Sequence, residues 1–267
     1  MKGFRTQHFG LRHMVVAYLS NSLFRNYTYT IQHGLARGMR RKGGLGFLPI
    51  QTTETPETRF LSQLPLEGKV VYDIGAFEGV LSLFFAQKAR QVIAYEPNPR
   101  NYERCLANIR LNRLDNVQVM NRGVSDAPGT VHFAYDPLMP GAGSGNTALV
   151  EQIGVTVKSA QRLQITVLTL DEDIAEHHLS PPDLIKIDIE GMELSALRGM
   201  RRTLTDHRPF LFIEMHGASP KEKISNAQAV IGLLENQKYS LFDVEGGRDI
   251  SLATLVTPPG HLYCTPL

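Results

Sequence analysis

From Lys69 onward the apolar residues fall in short runs that alternate with segments of helical period. Val70-Val-Tyr72 is a short apolar strand, and Val80 to Ala86 reads as a largely buried helix. Val92 to Tyr95 is a second buried strand, and Tyr102, Leu106 and Ile109 recur at helical spacing. Strands follow at Val117–Met120, Thr130–Tyr135 and Ile165–Leu168. Thr169 then opens a helix whose first turn carries Asp171, Glu172 and Asp173, acids that suit the positive end of a helix dipole. Leu184 to Ile189 is a central strand, and Leu194, Leu197 and Leu204 mark the next helix. Phe210 to Ile213 is another strand. Ile224, Ala227, Ile231 and Leu234 make an amphipathic helix. Strands at Tyr239–Val244 and Leu262–Thr265 finish the chain. This alternation predicts a mostly parallel sheet with helices on both faces.

The first fifty residues follow a different pattern. Leu11 to Tyr29 mixes aromatic and polar residues and predicts a helix. Gly34, Gly38, Gly43, Gly44 and Gly46 then punctuate a basic stretch that ends at Pro49. The expected division is an N-terminal helical and turn-rich extension over 1–50, a candidate substrate lid, and a catalytic domain over 51–267. Arg37, Arg40, Arg41 and Lys42 read as a solvated face. Residues 136–148 read as a glycine-rich loop, either one placed near a substrate or a plain surface connector.

Composition narrows the function classes. At 267 residues with 42% apolar and 20% charged positions, the chain can bury the core of a single α/β domain. A formal charge of +2 argues against a nucleic-acid partner. Cys105 and Cys264 belong to no CxxC or Cys/His cluster, so no zinc site is expected, and the count fits a reducing compartment. Met14 to Leu19 is too short to span a bilayer and lacks a cleavage site. The expectation is a cytoplasmic protein with no transmembrane segment; homo-oligomerisation stays open.

The chemistry begins with Asp73-Ile-Gly-Ala-Phe-Glu-Gly79 between the first strand and its helix. This order puts backbone N–H groups at the carboxyl edge of the sheet, where ligands bind in open α/β folds. Gly75 and Gly79 let a ligand approach the backbone closely. A dinucleotide site shows GxGxxG under its pyrophosphate. Here the loop is sparser in glycine and opens with an acid, which suits a cofactor with an ammonium group and no phosphate. S-adenosylmethionine (SAM) has that charge pattern. Glu96 ends the next strand, about twenty residues on, where a carboxylate accepts from ribose hydroxyls. Pro97 and Pro99 flank Asn98 and fix the chain as it leaves that strand.

A second group of acids follows the central strand: Asp188, Glu190 and Glu193. Asp188 and Glu190 are candidates to orient or deprotonate a hydroxyl, whereas Glu193 reads as a first-turn helix acid. Glu214-Met-His216 directly follows the strand Phe210 to Ile213. His216 is a candidate general base. Asp188, Glu214 and His216 also have ligand types that suit a metal, a lesser alternative, and no metal is assigned.

These residues resemble the FkbM-type methyltransferases. The matching pieces are Tyr72 to Gly79, Glu96-Pro-Asn98, Asn108 to Asn112, Thr169-Leu-Asp171, Lys186 to Glu193 and Ile213 to His216, with Ile-Asp-Ile-Glu-Gly-x-Glu the most specific. The resemblance implies a Rossmann-like class I SAM-dependent methyltransferase fold, a seven-stranded mostly parallel sheet with its last strand antiparallel. It implies methyl transfer, usually to oxygen, on a hydroxyl of a sugar, glycan or secondary metabolite. It implies Asp73, Gly75, Ala76, Phe77 and Gly79 around the methionine part of the cofactor, and Glu96, Pro97 and Asn98 at the ribose. Gly123 and Ser125 would stand near the adenine, Asp188 would contact the cofactor as well as the acceptor, and Glu57 belongs to an acidic segment before the first strand. Two other classes remain at this stage: an NAD-dependent oxidoreductase and a non-catalytic SAM-binding module.

Overall fold

The computed structural model describes residues 24–44, 54–136, 139–145 and 161–267. The main sheet contains β3 (Val70–Ile74), β4 (Gln91–Tyr95), β5 (Val117–Met120), β10 (Leu184–Ile187), β11 (Phe210–Glu214), β12 (Tyr239–Asp243), β13 (Arg248–Ile250) and β14 (His261–Pro266). Their spatial order is β13-β12-β14-β11-β10-β3-β4-β5. The strands β3, β4, β5, β10 and β11 pair in parallel, and β14 inserts antiparallel between β11 and β12. The expected seven strands and antiparallel last strand are present. A short eighth, β13, extends the edge by pairing with β12.

The sheet is buried on both faces, which is why its strands read as continuous apolar runs. Val70, Tyr72, Ile74, Ile185 and Ile187 pack on one side with α5 (Glu193–Arg198) and α6 (Pro220–Asn236). Val71, Val92 and Leu184 pack on the other with α1 (Pro56–Ser62), α2 (Val80–Ala86) and α3 (Pro99–Leu111). Asn98 caps α3 with Pro99 in its first turn, and Thr169 caps α4 (Leu170–Glu176) by accepting from the Glu172 N–H.

Four expectations change. Phe24 to Asn26 form a turn and Thr28–Thr30 form β1, which pairs with β2 (Arg40–Lys42), so the end of the expected Leu11–Tyr29 helix is a hairpin. The rest of that segment, 11–23, lies outside the described residues. The basic stretch supplies β2 rather than a connector. Part of the expected 136–148 loop is strand β8 (Met139–Ser144), the edge of a second sheet ordered β6-β9-β7-β8 with β6 at Gly123–Val124, β7 at Gly129–Asp136 and β9 at Gln161–Leu168. Backbone pairing with β7 overrides the low strand propensity of its glycines. Residues 137–138 and 146–148 of that loop lie outside the described residues. Finally, the helix expected to run to Leu204 ends at Arg198, and Thr203–His207 form a separate π-helical turn. At Gly199 a Cβ would sit 1.8 Å from the Ser125 carbonyl oxygen, so the chain passes there only as glycine. No helix among the described residues is long and apolar enough to cross a membrane.

Candidate active site

Register alone builds the site. Tyr95, Ile74, Ile187 and Ile213 pair in one row across β4, β3, β10 and β11. The next residue of each chain segment is Glu96, Gly75, Asp188 and Glu214, and Glu214 pairs in turn with His261 on β14. These groups therefore stand along the carboxyl edge. The strand order reverses between β3 and β10, which opens a crevice there. A cleft occupies it, with Gly75, Phe77, Glu96, Pro97, Asp188 and Glu190 among its lining. Gly123 and the alternating apolar residues Phe133, Ile165 and Val167 of the second sheet close its far side.

The loop after β3 is fixed from several directions. Gly75 has φ +82°, and a Cβ there would lie 1.8 Å from the Asp188 carbonyl oxygen. Lys186, almost wholly buried, donates to the Gly75 carbonyl at 2.9 Å and pairs with Asp73 at 3.2 Å and Asp188 at 3.5 Å. Burial works against the charge of Lys186, but Asp73 and Asp188 raise its pKa above the usual lysine range. Phe77 has φ +51°, unusual for a side chain of its size, and its N–H donates to Glu96 at 2.8 Å. Glu96 also accepts from the Asn98 N–H at 2.9 Å and from Asn101. Burial pushes the Glu96 carboxyl up to about 7 against those hydrogen bonds.

Not every expected cofactor residue lines the cleft. Asp73 is fully buried behind the loop, accepting from Ser82 at 2.6 Å. Ala76 donates its N–H to the Tyr95 carbonyl. A Cβ at Gly79 would lie 2.6 Å from the Cys105 sulfur, so this glycine serves helix packing. Asn98 is buried as the cap of α3, and Ser125 is buried beside Asp126. Glu57 lies 3.9 Å from His261 at the other end of the acidic row.

His216 sits at the centre of the second acidic group. Its Nδ1 contacts Glu193 at 2.9 Å, and its Nε2 lies 3.3 Å from Glu214, 3.7 Å from Glu190 and 3.8 Å from Asp188. Burial alone would lower its pKa, but Glu193, Glu214 and Glu190 push it up to about 11. At neutral pH His216 is an imidazolium, a hydrogen-bond donor through both nitrogens. Glu190 is pushed up to about 7 by burial against the opposing charge of His216. Its backbone has φ +50°, and its carbonyl accepts from Ser144 of β8 at 2.6 Å. Although burial opposes it, the two histidines hold Glu214 well below the usual carboxylate range. His261 also contacts Glu245, and its pKa rises to about 9. The Asp188, Glu214 and His216 ligand atoms lie within 4.8 Å of one another, close enough to hold a metal ion.

Sequence reasoning missed Glu193, Lys186 and His261 as parts of this site. Glu193 is fully buried and accepts from the Gly191 N–H, His216 and Asn226. In the sequence it reads as a first-turn helix acid, and it does open α5. A lysine inside an apolar strand was the available signal for Lys186, since such a charge needs buried partners.

A family model described as "Methyltransferase FkbM domain" matches residues 73–241, more than half of the chain. The chain belongs to this family. Hexuronic acid methyltransferase AglP of Haloferax volcanii is 28% identical over 166 residues, 61% of this chain and 63% of that protein. 2-O-methyltransferase NoeI of Sinorhizobium fredii is 27% identical over 190 residues, 66% of this chain and 75% of that protein. The chain spans less than two thirds of the length of several curated relatives, between 57% and 63%. Among solved structures, the FkbM methyltransferase of Methylobacillus flagellatus is 21% identical, covers 79% of this chain and 50% of that one, and has a TM-score of 0.48.

Proposed function

We propose that this FkbM-family protein is an SAM-dependent O-methyltransferase whose acceptor is a hydroxyl on a sugar, glycan or secondary metabolite. The observation that carries this reading is the single row of Glu96, Gly75 and Asp188 across the switch point, with Glu190 on the same cleft. The printed names of AglP and NoeI, a hexuronic acid methyltransferase and a 2-O-methyltransferase, support a hydroxylated acceptor.

The residues present fit the cofactor. Glu96 keeps acceptor capacity for a ribose hydroxyl after accepting from Phe77, Asn98 and Asn101. Phe133, Ile165, Val167 and Pro97 offer apolar walls for a flat base, and Asp188 and Glu190 offer negative charge. When bound, the cofactor supplies an electrophilic methyl on a positively charged sulfur. The chain's task is then to hold the acceptor oxygen in line and exclude water, which lowers the barrier by proximity. Glu190, titrating near neutrality, takes the hydroxyl proton. His216 does not act as the base in this scheme. As a fixed imidazolium it lies 3.7 Å from Glu190 and stabilises the carboxylate form.

Calorimetry with SAM, S-adenosylhomocysteine and NAD tests the cofactor. Binding of the first two without NAD is expected, and NAD binding without SAM binding overturns the reading. Labelled SAM with a panel of hydroxylated sugars and metabolites then identifies the acceptor.

A further inference from the structure

In the basic stretch at 37–42, Arg37 and Arg40 are exposed as a solvated face requires, but Arg41 is not. Arg41 is mostly buried, and its guanidinium donates to the Glu78 carboxylate at 2.6 Å. Glu78 belongs to the loop between Gly75 and Gly79. Its carbonyl accepts from Asn108 Nδ2 at 2.8 Å, while Asn108 Oδ1 accepts from the Lys42 N–H, also at 2.8 Å. Asn108 is fully buried on α3, so both ends of one amide join β2 to the loop. One turn later Asn112 repeats the attachment, accepting from the Arg40 N–H and donating to the Arg40 carbonyl, both at 2.7 Å.

We propose that the β1–β2 hairpin braces the cofactor loop, with Arg41 and Asn108 as positioning residues that set cofactor affinity; this rests on the SAM reading of the cleft. A hairpin with three-residue strands is not stable alone, so α3 must fix its register. The loop needs such a hold. Gly75 is pinned by Lys186 and Phe77 by Glu96, yet Phe77 sits in the left-handed region and a relaxed loop would leave it. Glu78 is the next residue, and Arg41 and Asn108 fix both its side chain and its backbone. Loosening it frees the Phe77 N–H from Glu96, the carboxylate assigned to the ribose. The lost order must then be restored on binding, which weakens affinity without touching the reacting atoms.

The full-length protein tests this by calorimetry with S-adenosylhomocysteine and by steady-state kinetics on an identified acceptor. Arg41→Ala and Glu78→Gln should each raise the dissociation constant and the KM for SAM about 3- to 10-fold with kcat unchanged. Arg41→Lys should recover most of the loss. The double variant should be no worse than either single one, because both remove the same contact. Arg37→Ala, at an exposed position of the hairpin, serves as the control. Asn108→Leu should weaken binding further; if it does not fold, the Arg41 and Glu78 variants decide. Wild-type affinity in both of those variants overturns the brace. A wild-type protein that binds no SAM overturns the underlying reading instead.

Discussion

Glu193 holds His216 through a 2.9 Å contact between its carboxylate and the Nδ1 of the imidazole, and the carboxylate itself is fully buried. A second bond from Asn226 at 2.7 Å fixes the other carboxylate oxygen. With one ring nitrogen committed to Glu193, the other faces Glu214, Glu190 and Asp188. Glu193→Gln keeps the shape and removes the charge. It should lower kcat about 10- to 100-fold while S-adenosylhomocysteine affinity stays within about 2-fold, since the change leaves the Glu96 side of the cleft intact. Calorimetry beside steady-state kinetics separates the two effects, and an unchanged kcat would remove Glu193 from the mechanism.

With Glu190 as the proposed base, the reaction should depend on pH. Its pKa of about 7 means that the base form grows as pH rises through neutrality. Activity should climb between about pH 6 and 8 and then level. Glu190→Gln should abolish that rise and cost about 10²- to 10⁴-fold in kcat, the usual worth of a positioned base. A wild-type profile that is flat across this range assigns the proton to another group.

The two histidines give stability a different pH dependence. Their folded-state pKa values, about 11 for His216 and about 9 for His261, lie above the unfolded value of 6.5. A raised histidine pKa contributes stability that is fully present below the unfolded value and is lost as pH rises through the folded one. Melting temperature should therefore fall between about pH 7 and 11, with the His261 share gone by about pH 9. His261→Asn should flatten the first part of that fall, and a melting curve equally steep in the variant would contradict the assignment. Each ~1 kcal/mol corresponds to ~2–4 °C for a chain of this size.

Gly75 tolerates no side chain. A Cβ 1.8 Å from the Asp188 carbonyl oxygen, at φ +82°, forces β3 and β10 apart at their carboxyl ends. Gly75→Ala should destabilise by more than ~2 kcal/mol and remove cofactor binding. Gly68→Ala, also at positive φ but with nothing within 4 Å, supplies the strain-only comparison by thermal melting.

The parallel core was legible because a strand covered on both faces reads as an unbroken apolar run, as in Leu184 to Ile187. Glu96, Asp188 and Glu190 were legible because each stands just beyond such a run. What stayed hidden depended on long-range partners. Nothing local distinguishes Glu193 from a helix-start acid, since His216 and Asn226, the partners that tie it to the site, are 23 and 33 residues away. Arg41 looked like one charge in a basic tract until Glu78 came to meet it. The strand Met139–Ser144 is glycine-rich and exists through its pairing with β7.

The cleft has two walls of different descent along the chain. One is the row of strand ends, gathered from three separated segments; the other is the small sheet between Gly123 and Leu168, a nearly contiguous stretch. The first wall cannot change without re-registering the core. The second can be exchanged as a cassette, with Phe133, Ile165 and Val167 recast while the carboxylates keep their stations. Redesign of the wall proposed to face the cofactor's base therefore belongs in that cassette.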